Sequence, residues 1–259
     1  MKNAPAPSAR RALQLFALTG LPAIEPGADL AALLGDAIEA AALGLQAGDV
    51  VVVCQKVVSK AEGRIVRLED VEPSQRARDF ASSFDKDAAM IELALREATE
   101  VLRMSDGHLI TATGKGFISA NSGIDRSNQS LPGHVTLLPL DADRSAAALR
   151  DALGARFGAA PAVIVTDTFG RPWRLGQIDF AIGAAGLRVL DDHMGRGDWS
   201  GRTLEHTVIA VADQLAAAAG LLMGKAGGIP AVLLRGYDYT TGDETAGDLV
   251  RPREQDLFR

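Results

Sequence analysis

Several shortages narrow the field before any motif is read. The chain of 259 residues has one cysteine, Cys54, so an intrachain disulfide framework is excluded and a reducing compartment, the cytoplasm, is expected. Cys54 closes the apolar run Val50-Val51-Val52-Val53-Cys54, which reads as a small buried hydrophobe rather than a catalytic thiol. Aromatic residues make up only 5%, so the core has to come from closely packed Ala, Val and Leu. Net charge is −6, without the basic excess of a nucleic-acid binder, although a local basic pocket for phosphate remains open. No run approaches the ~20 apolar residues that a membrane-crossing helix needs, so no membrane partner is expected.

The N-terminal stretch Ala12–Leu18 follows Arg10-Arg11 as the apolar part of a signal peptide would. It is short, contains Gln14 and leads into Gly20-Leu21-Pro22, so it reads as a first strand behind a loose head of about residues 1–14. Common fingerprints are missing too. There is no G-x-x-x-x-G-K-[ST] loop, no G-x-G-x-x-G and no G-x-S-x-G, and His108, His134, His193 and His206 have no zinc-site spacing.

What is present is an ordinary globular composition, 47% hydrophobic and 23% charged. Continuous apolar runs at Val50–Cys54, Ala162–Val165 and Ala231–Leu234 read as buried strands. Arg64–Leu68 and Val135–Leu138 read as further strands, and His108–Thr113 with Phe117–Asn121 as a hairpin whose Lys115 is a solvated turn residue. Helices are expected after the caps Asp29, Ser74 and Asp87, and over Ser145–Phe157. The helix after Asp87 should carry the stripe Ile91, Leu95, Ala98 and Leu102, with Glu92 and Arg96 paired on its wet side. The longest periodic pattern, Leu204, Val208, Val211, Leu215, Ala218 and Leu222, predicts a helix from near Thr203 to Gly224. The charged tail after Asp243 reads as loose. Interleaved strands and helices with both hairpin and crossover signals predict an α+β (mixed α/β) fold, with residues 1–259 forming one functional unit.

Four segments pair glycine with groups that bind phosphate or metal. Val57–Gly63 sets Lys60 at a strand's end beside Gly63, either as a phosphate-binding point charge or as a surface lysine. Asn121–Asn128 gathers Asp125 with amides and hydroxyls, which suits a hard cation or an Asx-rich turn. Thr166–Arg171 sends Asp167 and Thr168 out of a buried strand, where a metal can sit beside phosphate; Asp167 as a helix cap is the plain alternative. Arg171 and Arg174 nearby can each grip an oxyanion. Met223–Pro230 is glycine-rich, open to a phosphate or simply a helix stop.

In order along the chain, Gly20-Leu21-Pro22, VVSKAEG (57–63), NSGIDRSN (121–128), TDTFGR (166–171), FAIGAAGL (180–187), GRTLEHT (201–207) and MGKAGGIP (223–230) resemble the coenzyme F420-0:L-glutamate ligases, F420 being a deazaflavin. The pattern is most similar to the N-terminal part of the actinobacterial branch, whose members add a flavin-binding domain; a stand-alone form of that part is expected. The resemblance implies GTP-dependent addition of L-glutamate to F420-0, or to its dehydro variant, through an acyl phosphate, with a possible γ-linked extension. It implies Mg2+ or Mn2+ and K+, and a two-domain α+β monomer in an intertwined homodimer with the nucleotide groove at the interface. By matching position it implies Asp125, Asp167 and Thr168 as metal ligands. It assigns Gly20, Leu21, Pro22, Lys60 and Asn128 to nucleotide, with Met223, Gly224, Lys225, Gly227, Gly228 and Ile229. It names no catalytic acid or base. The chain departs from archaeal relatives at Lys225, where they carry an acidic metal-binding residue, and at Gln55-Lys56, where they carry small hydroxyl residues. Two rival functions are a metal-dependent phosphohydrolase, whose D-x-D motif fails at Phe169, and a nucleotide sensor without ligase activity.

Overall fold

The buried runs become neighbours because each is too apolar to show either face to water. In the computed structural model, which describes residues 12–128 and 131–257, they form a five-stranded sheet. The elements in chain order are β1 (Gln14–Leu18), α1 (Leu30–Ala40), β2 (Val50–Cys54), α2 (Gln55–Ala61) and β3 (Ile65–Arg67). Next come α3 (Gln75–Phe84), α4 (Ala88–Glu97), β4 (Glu100–Ser105), β5 (His108–Ala112), β6 (Ile118–Ala120) and β7 (His134–Thr136). The rest are α5 (Ala142–Phe157), β8 (Ala162–Arg171), β9 (Arg174–Ala185), β10 (Leu190–Asp192), β11 (Val208–Ala210), α6 (Val211–Met223) and β12 (Ala231–Arg235). The fold is mixed α+β.

The main sheet runs β1-β12-β2-β8-β9, with β2 and β8 parallel and the other pairs antiparallel. Successive side chains of a strand point to opposite faces, so each strand feeds two cores. Val51, Val53, Val163, Val165 and Leu233 pack with Leu34 and Ile38 of α1 and Leu149 and Leu153 of α5. Val50, Val52, Ile164, Val232 and Leu234 pack with Val211, Leu215 and Ala219 of α6. A third core lies among α3, α4 and their strands, around Phe80, Ile91, Leu109 and Val135. The side-chain caps foreseen at Asp29, Ser74 and Asp87 each accept from a backbone N–H of their helix.

Several expectations change in three dimensions. The stripe Ile91–Leu102 breaks because α4 stops at Glu97, and Leu102 lies in β4, which pairs with β5. The long C-terminal helix starts at Val211, not near Thr203. Val208–Ala210 are taken into β11 against β10, where branched Val208 and Ile209 suit a strand. Its buried face is accordingly Val211, Ala212, Leu215, Ala216, Ala219 and Met223, and Leu222 lies exposed. The α5 helix begins one turn early, capped by Asp141. Lys115 is more than a solvated turn residue, being 3.1 Å from Asp141 and 3.4 Å from Asp143.

The tail is tethered rather than loose. Thr245 caps a short 3-10 turn, Ala246 is fully buried, and its N–H donates to the buried Asp143 carboxylate at 2.8 Å. Of the expected loose head, residues 1–11 lie outside the described part, whereas Gln14 already pairs with Arg235 in β1.

Candidate active site

Because β1, β2 and β8 all run the same way, their C-terminal ends meet at one edge, where β12 begins. Loops leaving such ends are where α/β sheets collect ligands. Here they are the Gly20–Pro22 turn, α2, the Thr166–Thr168 reach of β8, and the Met223–Pro230 loop that feeds β12. The segment around Asp125 arrives from elsewhere, held by an isolated bridge to Thr136.

Between them lies a cleft of about 380 Å³, walled by Leu21, Pro22, Lys60, Asn128, Met223, Gly224, Lys225, Gly228 and Ile229, with Lys56. Nearly all the residues assigned to nucleotide by resemblance thus line one cavity. Gly20 and Gly227 flank it; Gly20, at φ +81, turns the chain from β1 into the wall. A larger hollow of about 670 Å³ between α1, α2 and α5 is lined by Asp29, Glu62 and Arg144 and by none of the residues assigned to nucleotide or metal, so the smaller cleft is the candidate site.

Lysines join the cleft to the acidic residues behind it. Lys56 Nζ lies 2.7 Å from Asp125 Oδ2 and donates to Ser127 Oγ at 2.6 Å. Lys60, largely buried, donates to the Asn128 carbonyl at 2.8 Å. Lys225 Nζ donates to Thr168 Oγ1, which donates to Asp179 Oδ1 at 2.6 Å. Asn128 Nδ2 reaches the Lys225 carbonyl at 3.5 Å.

Burial pushes the Asp167 carboxyl up to about 7; the Thr168 N–H and Lys225 oppose this, while the charges of Asp125 and Asp179 add to it. At Asp125 burial again pushes upward, but the bonds from Lys56 and Ser127 prevail and hold the carboxyl below its ordinary value. Burial lowers Lys60, and the like charge of Lys56 lowers it further.

Asp125, Asp167 and Thr168 supply only oxygen, which suits a hard cation that keeps waters or phosphate oxygens as its other ligands. Among the described residues no group of three or more His, Cys, Asp and Glu could hold a metal on its own. Burial first, and then the neighbouring charges of Asp125 and Asp179, make the ionised form of Asp167 costly; a divalent cation would offset that cost, so the oxygen donors present fit Mg2+ or Mn2+.

At this edge one alternative is excluded and one expectation fails. Asp167 caps no helix, because β8 continues through it to Arg171 and pairs Asp167 with Phe180. The same hairpin carries Arg171 and Arg174 outward, roughly 13 Å along the strand from Asp167 at ~3.4 Å per residue, and Arg171 donates to the Leu175 carbonyl instead. Gln55 is buried and accepts from the Ser59 hydroxyl.

Asp179 and Asp213 carry no motif that sequence reasoning could find. Asp179 faces Thr168 only through the β8–β9 register, and Asp213 accepts from the Ala181 N–H at 3.0 Å, across from α6. The place of Lys56 was legible, since it stands four residues before Lys60 just after a strand.

A family model described as F420-0:Gamma-glutamyl ligase matches residues 20–236. A protein named coenzyme F420:L-glutamate ligase from Methanothermobacter thermautotrophicus is 42% identical over 250 residues, covering 95% of this chain and 99% of that relative. Its namesake from Methanopyrus kandleri is 42% identical over 241 residues, 91% of this chain and 93% of the relative. One from Haloarcula marismortui is 43% identical over 256 residues, 95% and 96% of the two chains.

Proposed function

The chain belongs to the F420-0:gamma-glutamyl ligase family, and from that premise we propose that it joins L-glutamate to coenzyme F420-0, or to its dehydro variant, at the expense of GTP. The observation that carries this reading is the convergence of Lys56, Lys60 and Lys225 on one cleft at the carboxyl edge of the sheet, with Asp125 paired to Lys56 and Asp167 within reach of the Lys225 charge behind it.

A carboxylate is a poor electrophile, so amide formation needs a leaving group. Transfer of the γ-phosphoryl group to the precursor's carboxylate gives an acyl phosphate. That step releases GDP; the glutamate amine then attacks the carbonyl, loses a proton and displaces phosphate. A second round through the γ-carboxylate would extend the tail.

The reacting partners are all anionic, so the protein's task is to gather negative charge without repelling it. Lys60 presents a compact cation from a buried stem, and its Asn128 partner ties the Asp125 loop to α2. The glycine-rich Met223–Ile229 loop, with Gly224 at φ +54 and Gly228 at φ +66, lets backbone N–H groups approach phosphate oxygens closely. Leu21 and Pro22, turned in by Gly20, form a wall against which a base can rest. Asp125 and Asp167, with the Thr168 hydroxyl, are the groups to hold Mg2+ or Mn2+. When bound, that ion would neutralise triphosphate charge and polarise the phosphoryl group. Potassium is assigned as a further monovalent requirement.

The active unit is a homodimer in this reading. Trp173, Leu175 and Trp199 are 82%, 99% and 103% exposed, apolar surface that a partner copy would cover. Light scattering on the active enzyme tests that; an active monomer would refute it.

The deciding assay incubates the purified protein with F420-0, L-glutamate, GTP, Mg2+ or Mn2+ and K+, with glutamylated product read by mass spectrometry. Product that vanishes when GTP or the divalent ion is omitted is the expected result. Absence of product from both the usual and the dehydro precursor, despite tight nucleotide binding, would overturn the ligase reading.

A further inference from the structure

The acidic residues behind the cleft fall in two groups that are served differently. In one, Asp125 is engaged by Lys56 from the rigid start of α2. In the other, the cation comes from an exposed loop: the Lys225 ammonium donates to Thr168 Oγ1, whose hydroxyl in turn donates to Asp179 Oδ1 at 2.6 Å. A hydroxyl has one proton and two lone pairs, so Thr168 keeps one lone pair free in this arrangement. The reach is built in. Gly224, at φ +54 and ψ −154, turns the chain out of α6 in a conformation suited to glycine, and the Lys225 carbonyl lies against Asn128 Nδ2. Gly220 makes room beneath, since a Cβ there would come within 2.0 Å of Asp179 Oδ2.

We propose that Lys225 is a tethered cation: its ammonium serves the Thr168–Asp179 side of the cleft and meets phosphate oxygens there, so that side takes no metal ion of its own. Resting on the ligase reading only for the phosphorylated ligand, the proposal makes the cleft of this chain a site with one divalent ion, held at Asp125 and Asp167. The lone pair left on Thr168 lets that single ion share the hydroxyl with Lys225.

The test counts manganese by electron paramagnetic resonance and measures GDP affinity by calorimetry. It compares the intact protein with Lys225→Gln, Lys225→Arg and Lys225→Asp, with folding checked by circular dichroism. Lys225→Gln should weaken GDP by about tenfold or more, the loss of a charge-assisted bond, and Lys225→Arg should restore most of it. Lys225→Asp should bind one more Mn2+ per cleft than the unaltered chain. Unchanged GDP affinity in Lys225→Gln, an unchanged manganese count in Lys225→Asp, or a protein that binds no GDP at all would each overturn the proposal. Neither readout needs turnover, so a protein that passes both yet makes no glutamylated product would discard the ligase reading alone.

Discussion

The two ends of the main sheet handle charge in opposite ways. Where β2 begins, Asp49 is 1% exposed and saturated from within. It accepts from Arg235 Nε at 2.8 Å, from Arg235 Nη2 at 2.7 Å and from the Gln46 N–H at 2.8 Å, while Arg235 also reaches the Gly44 carbonyl. Geometry of this kind fixes one register of β12 against the turn before β2 and leaves nothing for a ligand. At the other end three carboxylates, Asp125, Asp167 and Asp179, meet three lysines, Lys56, Lys60 and Lys225, with Lys56–Asp125 the close ion pair, and Asp167 is raised to about 7 by burial, with the charges of Asp125 and Asp179 adding to it. The closed end is satisfied from within; the open end gathers its charged groups beside the cleft, where the proposed reading places an ion and phosphate.

That contrast is breakable, and the largest effect should be at the open end. Asp167→Asn is expected to cut turnover by more than about a hundredfold, since it removes a metal-binding oxygen, while melting no lower than the parent. Retained turnover would remove Asp167 from the chemistry. Next in size, Asp49→Ala should lower unfolding free energy in urea by about 3 kcal/mol, because the Arg235 charge is left without its partner, with turnover per folded molecule preserved. A loss of activity without a loss of stability there would erase the distinction between the ends.

Lys60→Ala should raise the nucleotide KM by about tenfold with little change in stability, since burial already disfavours the charge there. An unchanged KM would leave Lys60 a structural bond to Asn128 only. The smallest effect is a pH slope in protein stripped of divalent ions. Asp167 sits at about 7 in the fold against an ordinary 3.8, so between those values the folded chain holds a proton that the unfolded chain has released. Its stabilising share is present below the unfolded value and lost as pH rises toward 7. Denaturant melts of the parent should therefore decline across that window more steeply than those of Asp167→Asn; parallel curves would contradict the assignment.

Much of the scaffold was legible. Val50–Cys54, Ala162–Val165 and Ala231–Leu234 are strands because continuous branched apolar runs must be buried on both faces, and Asp29, Ser74 and Asp87 cap helices because their oxygens meet free N–H groups. Errors came where local pattern met partner choice. Leu102 and Val208 fit a helical period but are claimed by neighbouring strands, and the tail after Asp243 is ordered by Asp143, about a hundred residues earlier in the chain. Lys60 and Lys225 in the cleft, and Asp125 and Asp167 behind it, were found by motif, whereas Asp179 reaches Thr168 only through strand register.

By itself the sequence determined which residues had to be buried, where most helices begin, and, through its ordered motifs, the family and the cleft's principal side chains. Those depend on side-chain chemistry and near-neighbour spacing, which the linear chain contains in full. Tertiary structure decided that four distant loops share one edge, that Arg171 and Arg174 point away from it, and that Thr168 stands between Lys225 and Asp179. Those facts hang on strand direction and register. A shift of one residue between β8 and β9 would turn Asp179 to the opposite face, and nothing local to Asp179 specifies that register.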